Sequence, residues 1–589
     1  MVYRFGGDEF IVFIPGDRHD TAEKYIKRVY DIMEQHSLFI SHGIIYTRPG
    51  SGKSFDDYLV SADTKMYQLK QQRKQKKDSN FLKGVDISSV PMMVDNNIQI
   101  MDREGHVCRV FDFLKLNNVN SVRLRIWNEP DKVPESKGYC SLTYVLEMAH
   151  IIKKYKMHFL LDFHYSDYWA DPGQQNKPDA WKNLSFDELK EAVHKYTYDV
   201  LYRLKIMDCA PDMVQIGNEI RSGMLFPDGA VPQYRQLAAL VNEGIRAVRE
   251  LLPETKVMIH LDQGGRYNCI MPWFDSMFNA GMLPIDAIGL SFYSFWHGTF
   301  MDLKDTMSRL IKLYNLPVYI VETAHPWRHC KGDHISKELM ETAGLDAGSA
   351  EQKKSLEIIM QIAAEVSKDT GKTGVYYWEP VGVPGKGMGT WFENMGMFDE
   401  HGRALPGWDA IRDFDPKNPP IKELDKYIES LYEYEETPEV EDFMKLLMIH
   451  GNLISNPEFK DGFNNWQIET SLEERQYTLG KDGVFISSDA NFDYLISQTV
   501  DIEYTGEYIA AVDYRGTNTT GVEVELFMDV EDESGVHTYT SDIFPDDIRF
   551  VTHLLKPVRL QKNARVTVGL RMHTPPVFAK IKKISLVVI

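Results

Sequence analysis

From residue 81 to about 415, short β-branched apolar runs alternate with longer stretches whose apolar residues recur at three- and four-residue spacing. Eight runs stand out: FLKGVDI, NSVRLRIW, HFLLDFH, DMVQIGNE, KVMIHLD, DAIGLSFY, PVYIVET and GVYYWEP. Each is followed by a segment long enough for a helix, such as SLTYVLEMAHIIKKYK after the second. Eight strand–helix units in one block predict an α/β fold, a (β/α)8 TIM barrel with enlarged loops over 81–415. A doubly wound open sheet is the rival. It would place a Gly-rich phosphate turn after an early strand, and the sequence has none.

On either side the pattern changes. Residues 1–80 contain no Trp and end in SADTKMYQLKQQRKQKKDSN, a charged helix whose basic tail runs into a linker. Residues 416–450 read as a Pro-broken, acidic, partly helical linker. Over 451–589, short alternating runs such as YLISQTVDI, EYIAAVDY and VEVELFMDV are divided by Gly, Asp, Asn and Ser, which predicts an all-β module, a two-sheet β-sandwich. A chain of 589 residues with 43% hydrophobic and 12% aromatic content holds several packed domains and is not disordered throughout.

Charge narrows the partners. Lys+Arg 66 against Asp+Glu 86 leaves a net charge of −20, which repels phosphate backbones, so no nucleic-acid partner is expected. No segment reaches the roughly 18 to 20 apolar residues of a membrane helix, so no membrane partner is expected either. The opening MVYRFGGDEF lacks a basic stretch followed by an apolar one and does not read as a secretory signal. Cys108, Cys140, Cys209, Cys269 and Cys330 are scattered, with no zinc spacing, and read as free thiols. There is no HExxH or DxDxDG, and metal catalysis is not expected.

In a (β/α)8 barrel the reactive groups sit where strands end, on the C-terminal face. The eight runs end in Asp86, then Arg125 and Trp127, His164 and Asp167, Asn218 and Glu219, His260 and Asp262, Tyr293 and Trp296, Glu322, and finally Trp378 and Glu379. One polar residue at a strand end is as readily a chain leaving the core, but eight ends agreeing on acids, aromatics and an arginine predict a site. Glu219 and Glu322 are each a lone acid after an apolar strand, the pair that glycosidic-bond cleavage needs, with a plain ion-pair role as the competing reading. Asn218 could donate to a sugar hydroxyl beside the reacting carbon. Arg123 and Arg125 share one face of their strand, and a guanidinium pointing into the barrel would hold a nucleophilic carboxylate ionised. Trp127, Trp169, Trp296, Trp327 and Trp378 fall near one rim and read as platforms for the apolar faces of sugar rings.

The series LKGVDISSV, VRLRIWNEP, LLDFHYSDYWADPGQQNKPDAW, PDMVQIGNEIRSGML, VMIHLDQGG, IGLSFYSFWHG, VETAHPW and VYYWEP closely resembles, in order, the strand-end motifs of glycoside hydrolase family 53, the arabinogalactan endo-β-1,4-galactanases. The resemblance implies retaining endo-hydrolysis of β-1,4-galactan, with Glu219 as acid/base, Glu322 as nucleophile and their carboxyl groups roughly 5 to 5.5 Å apart. Asn218, Arg125, Asp86, His164, Trp169, Asp262, Tyr293, Trp296 and Trp378 are then the substrate-binding set. No cofactor is required. Some bacterial members bind calcium between the last two βα loops, and here Asp333 and His334 keep part of that acidic pattern.

The first block, with YRFGGDEFIVF and ADTKMYQLK, resembles diguanylate cyclase (GGDEF) domains, in which Asp8 and Glu9 would serve metal and catalysis. It reads as a partial α+β fragment, because the half carrying the first metal ligand and the guanine-reading residues is missing. The opening of the last block, NLISNPEFKDGFNNWQI, is similar to jelly-roll carbohydrate-binding modules and implies galactan binding, with Trp466 and Tyr494 as contacts. Two alternatives stay open: a retaining endo-glycosidase of the same clan acting on mannan or glucan, and a signalling protein built on the GGDEF remnant. A monomer is expected. The compartment is left open, since the galactanase family is usually secreted and GGDEF domains are cytosolic.

Overall fold

The structure is a computed structural model that describes residues 2–6, 9–12 and 28–29 of the first block. From there it describes 81–330, 335, 339–340, 343–383, 394–432, 437–472, 476–480, 483–488, 491–516, 522–532, 535–543, 550–574 and 577–588. Residues Met1–Asn80 form one compact unit and Phe81–Ile589 another. In the first unit Val2–Gly6 pairs antiparallel with Glu9–Val12. Asp8 lies outside the described residues, as do Asp333 and His334.

The second unit opens with a closed parallel barrel of β1 (Phe81–Asp86), β2 (Ser121–Ile126), β3 (His158–Phe163), β4 (Met213–Ile216), β5 (Lys256–Leu261), β6 (Ala287–Ser291), β7 (Val318–Thr323) and β8 (Thr373–Trp378). Each strand pairs with the next in sequence, and β8 closes on β1. The outer ring comprises α1 (Val110–Leu116), α2 (Leu142–Lys154), α3 (Phe186–Ile206), α4 (Tyr234–Leu251), α5 (Tyr267–Asn279), α6 (Phe300–Tyr314), α7 (Ser349–Val366) and α8 (Gly407–Asp413). Helix starts follow local chemistry. Ser185 with Glu188 and Thr299 with Asp302 form capping boxes at α3 and α6, satisfying amide protons that the first turn leaves free.

Because side chains alternate across a strand, one set packs outward under the helices and the other fills the barrel. The lower interior is apolar, built from Leu160, Met213, Met258, Ala287, Tyr319, Val321 and Tyr376. A Cβ on Gly84 would lie 2.2 Å from the Tyr376 ring, so only glycine admits that ring across the interior. The upper interior is polar and carries the site. One strand departs from strict alternation: Leu290 of β6 faces Ile320, but the next residue, Ser291, faces Glu322. Val321 stays in the interior cluster, so this bulge turns Glu322 inward as well.

The stretch read as a linker is not a free tether. It contains α9 (Leu424–Ser430), whose Leu424 and Ile428 join the barrel core, and α10 (Pro438–His450), whose Phe443 and Leu447 pack on Ala511 and Val587 of the following module. Acidic composition exposed one face of each helix, while the apolar residues at helical spacing gave the other a place to bind.

The C-terminal module is a two-sheet sandwich. One sheet runs β9 (Gln467–Thr470), β12 (Phe492–Asp501), β18 (Arg565–Thr574), β14 (Glu523–Asp532), β15 (Gly535–Asp542). The other runs β10 (Tyr477–Gly480), β11 (Gly483–Ser488), β19 (Val577–Val588), β13 (Gly506–Gly516), β16 (Val551–Leu554), with β17 (Val558–Leu560) also on β13. Alternate residues such as Val484, Ile486, Tyr508, Val512, Leu570 and Ile581 form its core. Among the described residues no helix is long and apolar enough to cross a membrane, and Cys108, Cys140, Cys209 and Cys269 are free thiols.

Candidate active site

Arg123, mid-strand on β2, reaches up the barrel axis and organises the mouth. Its Nη1 donates to Asp86 Oδ2 and pairs with Glu322 Oε1, each at 2.8 Å. Nη2 donates to Asp162 Oδ2 at 2.8 Å and Asn218 Oδ1 at 2.9 Å, and Nε donates to Gln215 Oε1 at 3.3 Å. With 1% exposure, this guanidinium has exchanged water for a complete set of fixed acceptors. Burial alone would lower its pKa, but Asp162, Glu322 and Asp86 more than offset that and it rises. It is a permanent cation.

The two predicted glutamates meet across this mouth. The β7 bulge brings in Glu322, whose Oε2 accepts from the Tyr293 hydroxyl at 3.2 Å. Glu219 follows Gly217 (φ +83°) and itself has φ 49°, a left-handed backbone that costs a non-glycine residue free energy and persists because neighbours fix it. Its amide lies 3.3 Å from His260 Nδ1, and His260 Nε2 lies 2.8 Å from Ser291 Oγ. Burial depresses the His260 pKa well below the usual range, so the ring is neutral and Nδ1 is left to accept. Burial also pushes both carboxyls up. Glu219 rises well above the ordinary value, first through desolvation and then through the charges of Glu322 and Asp262. Glu322 is pushed up by burial to about 7, with Arg123 pulling the other way. Arg123 and the Tyr293 hydroxyl both stabilise the charged form of Glu322, whereas burial and the charge of Glu322 favour the protonated form of Glu219.

The other predicted residues divide by what they touch. Asp86 is fully buried and accepts from Arg123 and from Ser88, and so orients the guanidinium without facing a ligand. His164 bridges Asp162 (Nε2 to Oδ2, 3.1 Å) and the Ala170 amide (3.1 Å to Nδ1), which fixes the loop leading from Trp169. Asn218 gives one Nδ2 proton to Ala170 O at 2.8 Å. Asp262 accepts from Arg221 Nε at 2.8 Å. Arg125 pairs with Glu379 Oε1 at 2.6 Å and stacks 4.3 Å under the Trp169 ring. Its side chain is 4% exposed, so it supports a platform and does not present a guanidinium to sugar. Trp169 stands 6.3 Å from Trp378, both half-buried, and Trp296 is 39% exposed beside Tyr293. These three rings form the apolar walls of the mouth, whereas Trp127 is buried at 3% behind Trp169.

The inward polar residues Asp162, Gln215 and Ser291 were not singled out from sequence. Their signal was available: a carboxylate in LLDF and an amide in MVQI interrupt otherwise apolar buried strands. The sandwich residues are a correction. Trp466 is 8% exposed, donates Nε1 to Asn456 O and packs on Phe459, while Tyr494 is 1% exposed against Tyr477. Both lie in the sandwich core, Trp466 just ahead of β9 and Tyr494 on the inward face of β12, and neither ring is open to a sugar.

Comparison with known proteins fits this geometry. Residues 82–411 match the family model described as glycosyl hydrolase family 53, and residues 1–76 match the diguanylate cyclase GGDEF domain. The chain is 39% identical over 353 residues to a Niallia circulans protein named "Uncharacterized protein in bgaB 5'region", covering 57% of this chain and 94% of that one. It is 32% identical over 331 residues to arabinogalactan endo-beta-1,4-galactanase A of Emericella nidulans, covering 55% and 91%. The solved GH53 catalytic domain of Ignisphaera aggregans superposes with a TM-score of 0.53 at 34% identity, covering 57% of this chain and 96% of that structure.

Proposed function

Because the chain belongs to glycosyl hydrolase family 53, we propose that it hydrolyses internal β-1,4-galactosidic bonds of arabinogalactan with retention of configuration. The observation that carries this reading is the pair of buried glutamates at the ends of β4 and β7, one bound by Arg123 and Tyr293, the other pushed towards its protonated form by burial and by the charge of its partner. Glu322, as carboxylate, attacks the anomeric carbon while Glu219 gives its proton to the departing glycosidic oxygen. The bond to the leaving sugar breaks and a galactosyl ester forms on Glu322. Glu219, now ionised, removes a proton from water, which attacks the same carbon and frees Glu322. Asn218 keeps a second Nδ2 proton for the hydroxyl beside the reacting carbon, and Trp169, Trp296 and Trp378 hold ring faces. No step needs a metal or organic cofactor.

Release of oligosaccharides from potato galactan, followed by proton NMR, tests the reading. First-formed β-anomers support it. First-formed α-anomers would replace the nucleophile assignment, and release from mannan or glucan with none from galactan would overturn the substrate.

The sandwich completes the proposal as a galactan-binding module acting through its open face. The outer face of the β10–β11–β19–β13–β16 sheet is covered by the barrel and α10, through Phe485, Lys580, Ala511 and Val587. The opposite sheet exposes Arg571, held between Glu525 and Asp529 over Phe527. That fork of charged donors and acceptors suits sugar hydroxyls. An inactive full-length Glu322→Gln chain is expected to be retarded in a native gel containing galactan and released by Arg571→Ala. Equal mobility with and without galactan would make the module purely structural.

A further inference from the structure

The sandwich meets the barrel at the start of α6, next to the catalytic loop. That loop leaves β6 at Ser291, carries Tyr293, Trp296 and His297, and enters α6 through Gly298 (φ +99°) and the N-cap Thr299. It is a compact turn, with the His297 and Trp296 amides donating to Tyr293 O at 2.8 and 2.9 Å. From the α5 side Gly265 wedges it, since a Cβ there would lie 2.2 Å from His297 O. Its far end is fixed by Asp302, whose Oδ2 accepts from the Thr299 amide at 2.9 Å.

An acid that caps its own helix is ordinarily solvated. Asp302 is instead buried beneath two cations from the sandwich. Arg515 of β13 donates Nη1 to Oδ1 at 2.9 Å and Nη2 to Oδ2 at 2.7 Å, and Lys580 Nζ of β19 reaches Oδ1 at 3.2 Å, with all three side chains at 4–6% exposure. Further along α6, Arg309 places its guanidinium 4.0 Å from the Phe485 ring of β11 and bonds Thr478. The seam is thus continuous from the sandwich to the loop, and the loop ends on Glu322 through the Tyr293 hydroxyl.

We infer that the sandwich is a working part of the catalytic barrel: Arg515 is a positioning residue that, through Asp302 and the α6 N-terminus, fixes the Tyr293–His297 loop against the nucleophile. This rests on the proposed hydrolysis and adds that turnover of even a substrate too small to touch the sandwich depends on it. A flexibly tethered module would raise only the local concentration of polymer and leave such substrates unaffected. A bidentate guanidinium sets orientation as well as charge, so its loss releases the carboxylate that holds the cap.

The test uses full-length chain and an activated aryl β-galactoside. Arg515→Met is expected to lower kcat about tenfold (about 1.4 kcal/mol), with KM little changed and the acid limb of the pH profile moved upward as the Tyr293 hydrogen bond loosens. Arg515→Lys restores part of the rate, and Lys580→Met shows a smaller loss of the same kind. Tyr293→Phe supplies the control: if Arg515 acts through Tyr293, Arg515→Met loses little more in that background. Full additivity, or a folded Arg515→Met with wild-type rate and pH profile, overturns the inference. Calorimetry reads the same coupling without activity, with barrel and sandwich unfolding together in the parent chain and separately in Arg515→Met. Two separate transitions in the parent chain would also overturn it. A parent chain that cleaves no β-galactoside would fail the functional reading instead, leaving the calorimetric outcome to decide the coupling.

Discussion

At the barrel mouth three carboxylates, Asp86, Asp162 and Glu322, share the one guanidinium of Arg123, whereas at the sandwich seam one carboxylate, Asp302, faces two cations, Arg515 and Lys580. Both clusters are buried, and both use the same chemistry. The balance differs. With too little positive charge at the mouth, burial wins and Glu322 rises to about 7. At the seam, burial would raise Asp302, but Arg515 and Lys580 outweigh it and hold the carboxyl far below its ordinary range. A catalytic cluster keeps a proton in play near working pH, while a structural one removes it from play.

The largest expected effect comes from removing the charge that the mouth holds back. Glu322→Gln is expected to lower turnover by on the order of 10⁴-fold or more, on galactan and on activated aryl galactosides alike, because no other group forms the galactosyl ester. Steady-state rates on both substrates check this. A variant that keeps a tenth of the rate would remove Glu322 from the role.

Glu219→Gln is expected to cost roughly 10²- to 10⁴-fold on galactan, and much less in the first step on leaving groups that need no proton. The parent profile of kcat/KM is expected to be bell-shaped, rising as Glu322 ionises and falling as Glu219 loses its proton. In Glu219→Gln the alkaline limb disappears. Equal losses on both substrate types would contradict the division of labour.

Stability against pH separates the two clusters by sign. Asp302 has a depressed pKa, so its contribution is present above the ordinary carboxylate value of 3.8 and fades only as pH falls below it. Asp302→Asn is expected to cost roughly 3–5 kcal/mol at neutral pH, closing only in acid. Glu219 has a raised pKa, so the folded state is favoured by protonation and loses stability as pH rises above 4.5. Glu219→Gln, which mimics the protonated form, is expected to melt above the parent chain at pH 8 and level with it near pH 4. Thermal melts across that range decide both, and parallel curves for the two variants would dissolve the contrast.

The smallest effect tests geometry with charge held constant. Arg123→Lys keeps the cation but loses the fork that reaches Glu322, Asp86, Asp162 and Asn218 together. At about 1.5–3 kcal/mol for a charged hydrogen bond, kcat/KM is expected to fall roughly ten- to hundredfold. Arg123 holds the Glu322 pKa down, so the acid limb moves to higher pH. An unchanged limb would show that charge alone suffices.

How legible each part was follows from the range of the interaction that made it. The eight strands and the two glutamates were readable because strand periodicity is local and a barrel exposes every strand end on one face. Arg123 and Arg125 have the same parity and look interchangeable in sequence. Only their heights on β2 give one to Glu322 and the other to Glu379 and Trp169. Trp466 and Tyr494 show the same gap, since aromatic residues in a sandwich signal core and ligand surface equally, and sheet packing put both inside.

The sequence by itself therefore determined the barrel, the sandwich, the family and the pair of acids, because hydrophobic period and strand-end chemistry are carried within a few residues of each position. Tertiary structure decided which way Glu322 points, through a bulge against β6. It decided which arginine reaches Glu322, and that the acidic stretch carries two packed helices and is not a tether. It also decided that Arg515 and Lys580 close on Asp302, residues more than two hundred positions away. Such contacts depend on burial, which sets the worth of every charge, and burial exists only once distant segments have excluded water from between them.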